Sequence, residues 1–245
     1  MEISLAAEKI GQIGALPVTN SMLLSWVSSA LLIVLAYFST AKLAQIPKGI
    51  QNFFEMVVEF LFNTVNDVLE DEDATKKYLP FLATIFIFII VNNWMGLLPG
   101  VGTIGIYELK EGHEILVPLF RSGNADLNTT LALAIVTIIT VQVLGVSALG
   151  TFKYAKKFFN FKGPIDFFVG ILELMSEFSK IISFSFRLFG NIFAGEILLM
   201  VIAFLLPFIA PIPFFFLEIF VGFIQALVFT MLALVFIKGA ITEAH

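Results

Sequence analysis

Apolar and polar positions alternate along this chain in blocks rather than residue by residue. Residues 21–41, 78–98 and 127–149 are apolar almost throughout and carry no formal charge. Each meets the roughly 20 residues that a helix needs to cross a bilayer. Asn20 stands where a cap of the first helix is expected, and Pro47 follows its polar end. Pro80 opens the second span and Pro99-Gly100 closes it. Residues 49–69 follow another rule. Phe53, Phe54, Met56, Val57, Phe60, Leu61, Val65 and Val68 recur at helical spacing, interleaved with Glu55, Glu59, Asn63, Asn66 and Asp67. That pattern predicts an amphipathic helix lying in the membrane interface. Glu70 to Asp73 is read as a solvated acidic turn, and residues 99–126 as a polar loop.

From residue 165 the pattern lengthens. Residues 165–206 read as one helix with scattered polar positions. Pro207, Pro211 and Pro213 enforce a turn, and residues 214–238 return as a last helix. A helix of that length measures roughly 60 Å, twice the hydrocarbon thickness, so it must tilt strongly or break. The expected fold is an all-α polytopic membrane protein in a single domain, residues 1–245. It has five membrane helices plus one interfacial amphipathic helix, and the last two form a long, strongly tilted hairpin. Residues 1–20 make an outer N-terminal segment.

Composition agrees with that reading. Of 245 residues, 59% are hydrophobic and 13% charged, about half the charged share of a soluble domain. No stretch reads as an independent polar domain, and no phosphate-binding loop is present, which argues against a soluble enzyme. The absence of cysteine rules out disulfides and thiolate metal sites. No metal, cofactor or nucleic-acid partner is expected. Residues 1–19 lack a basic segment followed by an apolar core, so the first span is expected to be retained. Basic residues set the orientation. Lys42, Lys48, Lys76, Lys77, Lys153, Lys156, Lys157, Lys162 and Lys238 fall on one side, against Lys9, Lys110 and Arg121 on the other. The expected orientation is therefore N-terminus outside and C-terminus in the cytoplasm.

The exception inside the apolar blocks is Arg187. Its guanidinium stays protonated at any biological pH, and at the bilayer centre it costs roughly 2.5–3.5 kcal/mol even on the mildest scale. Five further polar residues share its direction on the long helix: Glu173, Ser176, Lys180, Ser183 and Asn191. At 100° per residue all lie within about 40° of Arg187, which implies a wet stripe. Glu196, nine residues on, points the opposite way. Glu218 and Gln225 share one face of the last helix, and Glu218 is expected at the level of Glu196. Two carboxyls so placed do not ionise together easily, and such a pair can relay protons. Plainer roles stay open for each. Arg187 has an ion pair as its alternative, Lys180 has snorkelling and Glu173 a helix-start charge. Ser176 and Ser183 have bonds to helix carbonyls, Asn191 has interhelical packing, and Glu196 and Glu218 have the state of neutral, hydrogen-bonded acids. Asn92 and Asn93 are read as packing helices together.

The run from Arg187 to Glu196, Arg-Leu-Phe-Gly-Asn-Ile-Phe-Ala-Gly-Glu, closely resembles the hallmark segment of the a subunit of F-type ATP synthases. Tyr78-Leu79-Pro80, the run Asn93 to Gly100, the run Ala125 to Ala132 and Gln225 to Phe229 resemble the same family, so the likeness covers nearly the whole chain. The resemblance implies six helices, the last two lying obliquely against a rotating ring of c subunits. It implies peripheral-stalk b subunits and the remaining synthase subunits as partners, beside the lipid bilayer. It implies an ion-translocating chain without nucleotide chemistry of its own, a bacterial inner membrane, and protons as the expected ion. On Arg187 it places the essential cation facing the ring carboxylates. Glu196, Glu218, Gln225 and Asn191 belong to the outer ion pathway, and Glu173, Ser176, Lys180 and Ser183 approach the cytoplasmic one. Members often carry His at the position of Glu218, so this chain departs there. A secondary ion transporter or a non-transporting scaffold are the rival readings; no inverted repeat of the transporter kind is visible.

Overall fold

The computed structural model describes residues 6–41, 44–110, 113–158, 163–207 and 209–242. Lys42 and Lys162, counted for orientation, lie outside the described residues. Among the described residues, five helices are long and apolar enough to cross a membrane: α1 (Asn20–Thr40), α3 (Glu72–Gly96), α4 (Leu127–Leu149), α6 (Pro164–Leu205) and α7 (Pro211–Ile241). The amphipathic α2 (Ile50–Leu69) and the short α5 (Thr151–Phe158) are the other α-helices among the described residues. The chain is an all-α polytopic integral membrane protein.

Two small antiparallel hairpins were not anticipated. One pairs β1 (Lys9–Ile13) with β2 (Leu16–Thr19), turning at Gly14 with φ +63°. The other pairs β3 (Gly105–Lys110) with β4 (His113–Pro118), from Gly105↔Pro118 to Lys110↔His113. Together with the 3-10 turn Gly123–Ala125 they gather at one end of the bundle. The opposite end carries α5 and the C-terminal end of α7.

Several helix ends differ from the sequence reading for capping reasons. Thr19, not Asn20, caps α1 by accepting from the Met22 N–H at 3.4 Å. Asn20 is the first helical residue and is fully buried. The acidic run is no loose turn. Glu70 closes α2 in the left-handed region (φ 58°), and the Asp71 carboxylate accepts from the N–H groups of Asp73 and Ala74. Glu72 and Asp73 then sit in the first turn of α3, where negative charge suits the helix dipole. The span accordingly starts at Glu72 instead of 78, and Pro80 lies inside it. Likewise Pro211 opens α7, and Pro213 lies within its first turn. A first-turn proline lacks only an N–H that has no helical partner anyway.

The core lies between α3, α4, α6 and α7. Leu82, Ile89, Val141, Leu188, Ala226, Phe229, Ala233, Leu234 and Ile237 are buried there. In lipid, such helices associate through close packing and polar contacts rather than water exclusion. Small residues make the approaches. A Cβ on Gly145 would meet the Tyr154 ring and the Ala240 carbonyl, and one on Gly222 would meet Asn93. Phe184 of α6 packs edge-on against Phe229 of α7, with centroids 4.6 Å apart. α6 is thus pinned on its inner side, and its other faces stay open.

Candidate functional site

Arg187 lies on an open side of α6. It is exposed between Ile182 and Phe186 on the outside, while Leu188 turns into the core. Its Nη2 donates to Ser183 Oγ at 3.2 Å, one turn earlier on the same helix. Among the described residues it has no carboxylate partner. Ser176, Ser183 and Asn191 are exposed with it. The surface beside Arg187 is shallow: Gly190 is exposed and has nothing within 4 Å of the point where a Cβ would stand.

Glu173 and Lys180 do not share that openness. Both are half-buried. Glu173 pairs with Lys157 of α5 at 2.8 Å. Lys180 pairs with Glu177 at 2.6 Å and lies over the Phe236 ring, 4.7 Å from its centroid. The six-residue stripe is therefore split. Four members face outward, and two are drawn into ion pairs near α5. Tyr154 belongs to this end as well. Buried against α4, its hydroxyl bonds Gln142 Oε1 at 2.5 Å. Burial, with Glu177 and Glu173 adding their charge, pushes its phenol up to about 12.

Toward the hairpin end, the structure brings Glu196 and Glu218 together. Both line one cavity with Asn93, Gly96, Leu97, Ser122 and Ile192. The Glu218 carboxyl rests on Gly195, where any Cβ would collide with it. That contact gives the glycine before Glu196 a steric reason. Gln225 is half-buried two turns further along α7 and does not line the cavity. Asn191 remains on the Arg187 side.

A polar frame surrounds the cavity. Asn93 Nδ2 donates to the Gly222 carbonyl at 2.9 Å, and Asn124 Nδ2 donates to Asn93 Oδ1 at 2.7 Å. Trp94 Nε1 donates to the Ile219 carbonyl at 3.1 Å. The frame ties α3 and the 3-10 turn to the start of α7, and so fixes the level of Glu218. Arg121 closes the frame, its Nε 3.4 Å from Glu196 Oε2.

Arg121, Ser122 and Asn124 were not identified from sequence as site residues, and neither was Glu177. The loop residues lie far from Glu196 along the chain, and periodicity carries no information across such distances. The paired Asn92-Asn93 inside an apolar span was the one available signal.

Four findings place the chain among known proteins. The profile of the family described as ATP synthase A chain matches residues 22–238. The ATP synthase subunit a of Geotalea uraniireducens is 35% identical over 224 residues, covering 90% of this chain and 87% of that protein. The ATP synthase subunit a of Moorella thermoacetica is 33% identical over 231 residues, with 94% of each chain covered. The corresponding protein of Campylobacter jejuni is 34% identical over 218 residues, 87% of each. With nearly the whole length matched, and Arg187 and Glu196 standing in the segment that suggested the likeness, the chain belongs to the ATP synthase A chain family.

Proposed function

We propose that the chain is the ion-translocating stator subunit of the membrane sector of a rotary F-type ATP synthase. It carries ions, protons being the expected species, through two laterally offset half-channels at its contact with a ring of c subunits. The observation that carries the reading is Arg187: a permanent cation exposed on a membrane helix, met by no carboxylate among the described residues. In lipid such a charge demands a partner. A ring of acidic side chains passing that face would supply one.

An ion arrives at the hairpin end, taken here as the outer side, by way of Glu218 and Glu196, and neutralises a ring carboxylate. A neutral carboxyl enters lipid at modest cost, whereas an ionised one does not. After almost a full turn the carboxyl reaches the water beside Ser176 and Ser183 and releases its ion to the cytoplasmic side. Glu173 and Lys180 stand where that path meets α5. The new carboxylate is drawn to Arg187. At ~4 Å and an effective dielectric near 20 the attraction is about 4 kcal/mol. That favours release of the ion, yet reprotonation still frees the carboxyl. The fixed cation also repels protons crossing directly between the channels. Each charge contributes about 2.3 kcal/mol per 100 mV of membrane potential.

The test is Arg187→Ala in the assembled complex. Assembly is expected to persist while ion-driven ATP synthesis is lost. Synthesis at the native rate in that variant would overturn the assignment.

A further inference from the structure

Arg121 stands in the loop after β4, outside the spanning helices, yet its side chain is only 12% exposed. Three contacts hold it. Nε donates to Glu196 Oε2 at 3.4 Å. Nη1 donates to the Ala6 carbonyl at 3.2 Å. The guanidinium carbon lies 5.5 Å from the centroid of the Phe193 ring, one turn before Glu196 on α6. Ser122, the next residue, lines the cavity that Glu196 and Glu218 share.

The two carboxyls are thus unequal neighbours. Glu196 has a cation that cannot be deprotonated. Glu218 is 6% exposed and, among the described residues, has no cationic partner; its carboxyl lies on Gly195. Arg121, held at three points, is not free to swing from one to the other. Asp126 and Glu8 also stand at this end. Asp126 accepts from Ser21 and Asn128, whereas Glu8 is tied to Asn20 through its backbone alone and its Oε2 is buried without a hydrogen-bond partner. Of the two carboxyls that line the cavity, one faces the Arg121 guanidinium, and the surplus negative charge there falls to Glu218.

We propose, on the reading that ions pass through this cavity, that Arg121 is a positioning residue of the ion path. It holds Glu196 as a paired carboxylate against the cavity wall and leaves Glu218 as the carboxyl that accepts the ion and hands it on. For a proton the step balances simply. Water delivers H⁺ to the Glu218 carboxylate, and the resulting acid gives it to the ring carboxylate.

The test is ATP synthesis by the assembled complex in vesicles, driven by an imposed proton gradient, as a function of pH on the hairpin side. Arg121→Gln should slow synthesis about tenfold, one decade in rate, and displace the pH–rate profile. Arg121→Lys should keep the native profile, with a smaller loss. The double variant Arg121→Gln/Glu196→Gln, which removes the orphaned carboxylate, should recover most of the rate and assemble even where Arg121→Gln alone does not. Glu218→Gln should lose synthesis far more completely than Glu196→Gln. A native pH profile in Arg121→Gln, a double variant no better than the single, or Glu196→Gln as damaging as Glu218→Gln would each overturn the proposal. Arg187→Ala run alongside separates the two levels. Synthesis surviving there removes the ion-path reading itself, whereas its loss there with any of those three results removes only the role of Arg121.

Discussion

Arg187 and Glu196 are nine residues apart on α6 and point in opposite directions, and their surroundings differ in kind. Arg187 is exposed, donates to Ser183 on its own helix, has no carboxylate partner among the described residues, and lies beside the open Gly190. Glu196 is enclosed by Arg121, Ser122 and the second carboxyl of Glu218, on a glycine that leaves no room for a methyl group. The contrast teaches how to read charges on a membrane helix. A charge whose partners are all within the chain has its state set by the fold. A charge without them has its state set by whatever arrives. In α6 the two kinds sit two and a half turns apart.

The sharpest way to break that contrast is Arg187→Lys. If the guanidinium only needed to be positive, lysine would serve. A planar, permanently protonated group facing a moving carboxylate predicts instead a loss of ATP synthesis of about a hundredfold or more, with the complex still assembled. Next come the two glycines. Gly195→Ala drives a methyl into the Glu218 carboxyl. Overpacking of that kind costs about 1–3 kcal/mol, so both the thermal stability of the purified chain and the synthesis rate should fall. Gly190→Ala places a methyl with nothing within 4 Å among the described residues. It should leave the purified chain within about 0.5 kcal/mol of native stability while slowing synthesis in the complex. Equal thermal shifts in the two variants would erase the distinction between the faces.

Smaller effects are expected from the frame. Asn93→Leu leaves the Gly222 carbonyl and the Asn124 amide without their partner, at a cost of about 1–3 kcal/mol, readable as lowered thermal stability. The smallest concerns the α5 end. Tyr154 titrates near 12, above its ordinary 10.0. Its protonated form therefore lends stability that is complete below about pH 10 and disappears as pH rises through 12. Ultraviolet titration of the native chain against Tyr154→Phe should show one phenol missing from the late part of the curve. Early ionisation of that phenol would contradict its enclosure.

Much of this was legible from residue patterns. Spans announce themselves because lipid demands about 20 apolar residues whatever the neighbours are, and α4 was read at its observed bounds, 127–149. The polar stripe was legible because helical period is local. What stayed hidden was long-range or short. The hairpins have strands of four to six residues in glycine-containing polar segments. α5 has eight residues in a stretch noted only for its lysines. Arg121 resembled an orientation signal because nothing local links it to Glu196, 75 positions away. Glu173 and Lys180 fitted the stripe by angle, and only the packing of α5 and α7 revealed their pairing. Pro80 looked like a helix opener because the Asp71 cap and the acidic first turn were taken for a loop.

One pair of contacts has a bearing on biosynthesis. Asn20 donates to the Pro118 carbonyl and Ser21 to Asp126, joining positions 98 and 105 residues apart. The start of α1 therefore emerges from the ribosome long before its anchors exist. At roughly 5–20 residues per second the delay is on the order of 5–20 s. Through that interval the leading helix is inserted but unmoored, and nascent chains halted short of residue 118 should release it to mild detergent where longer ones do not.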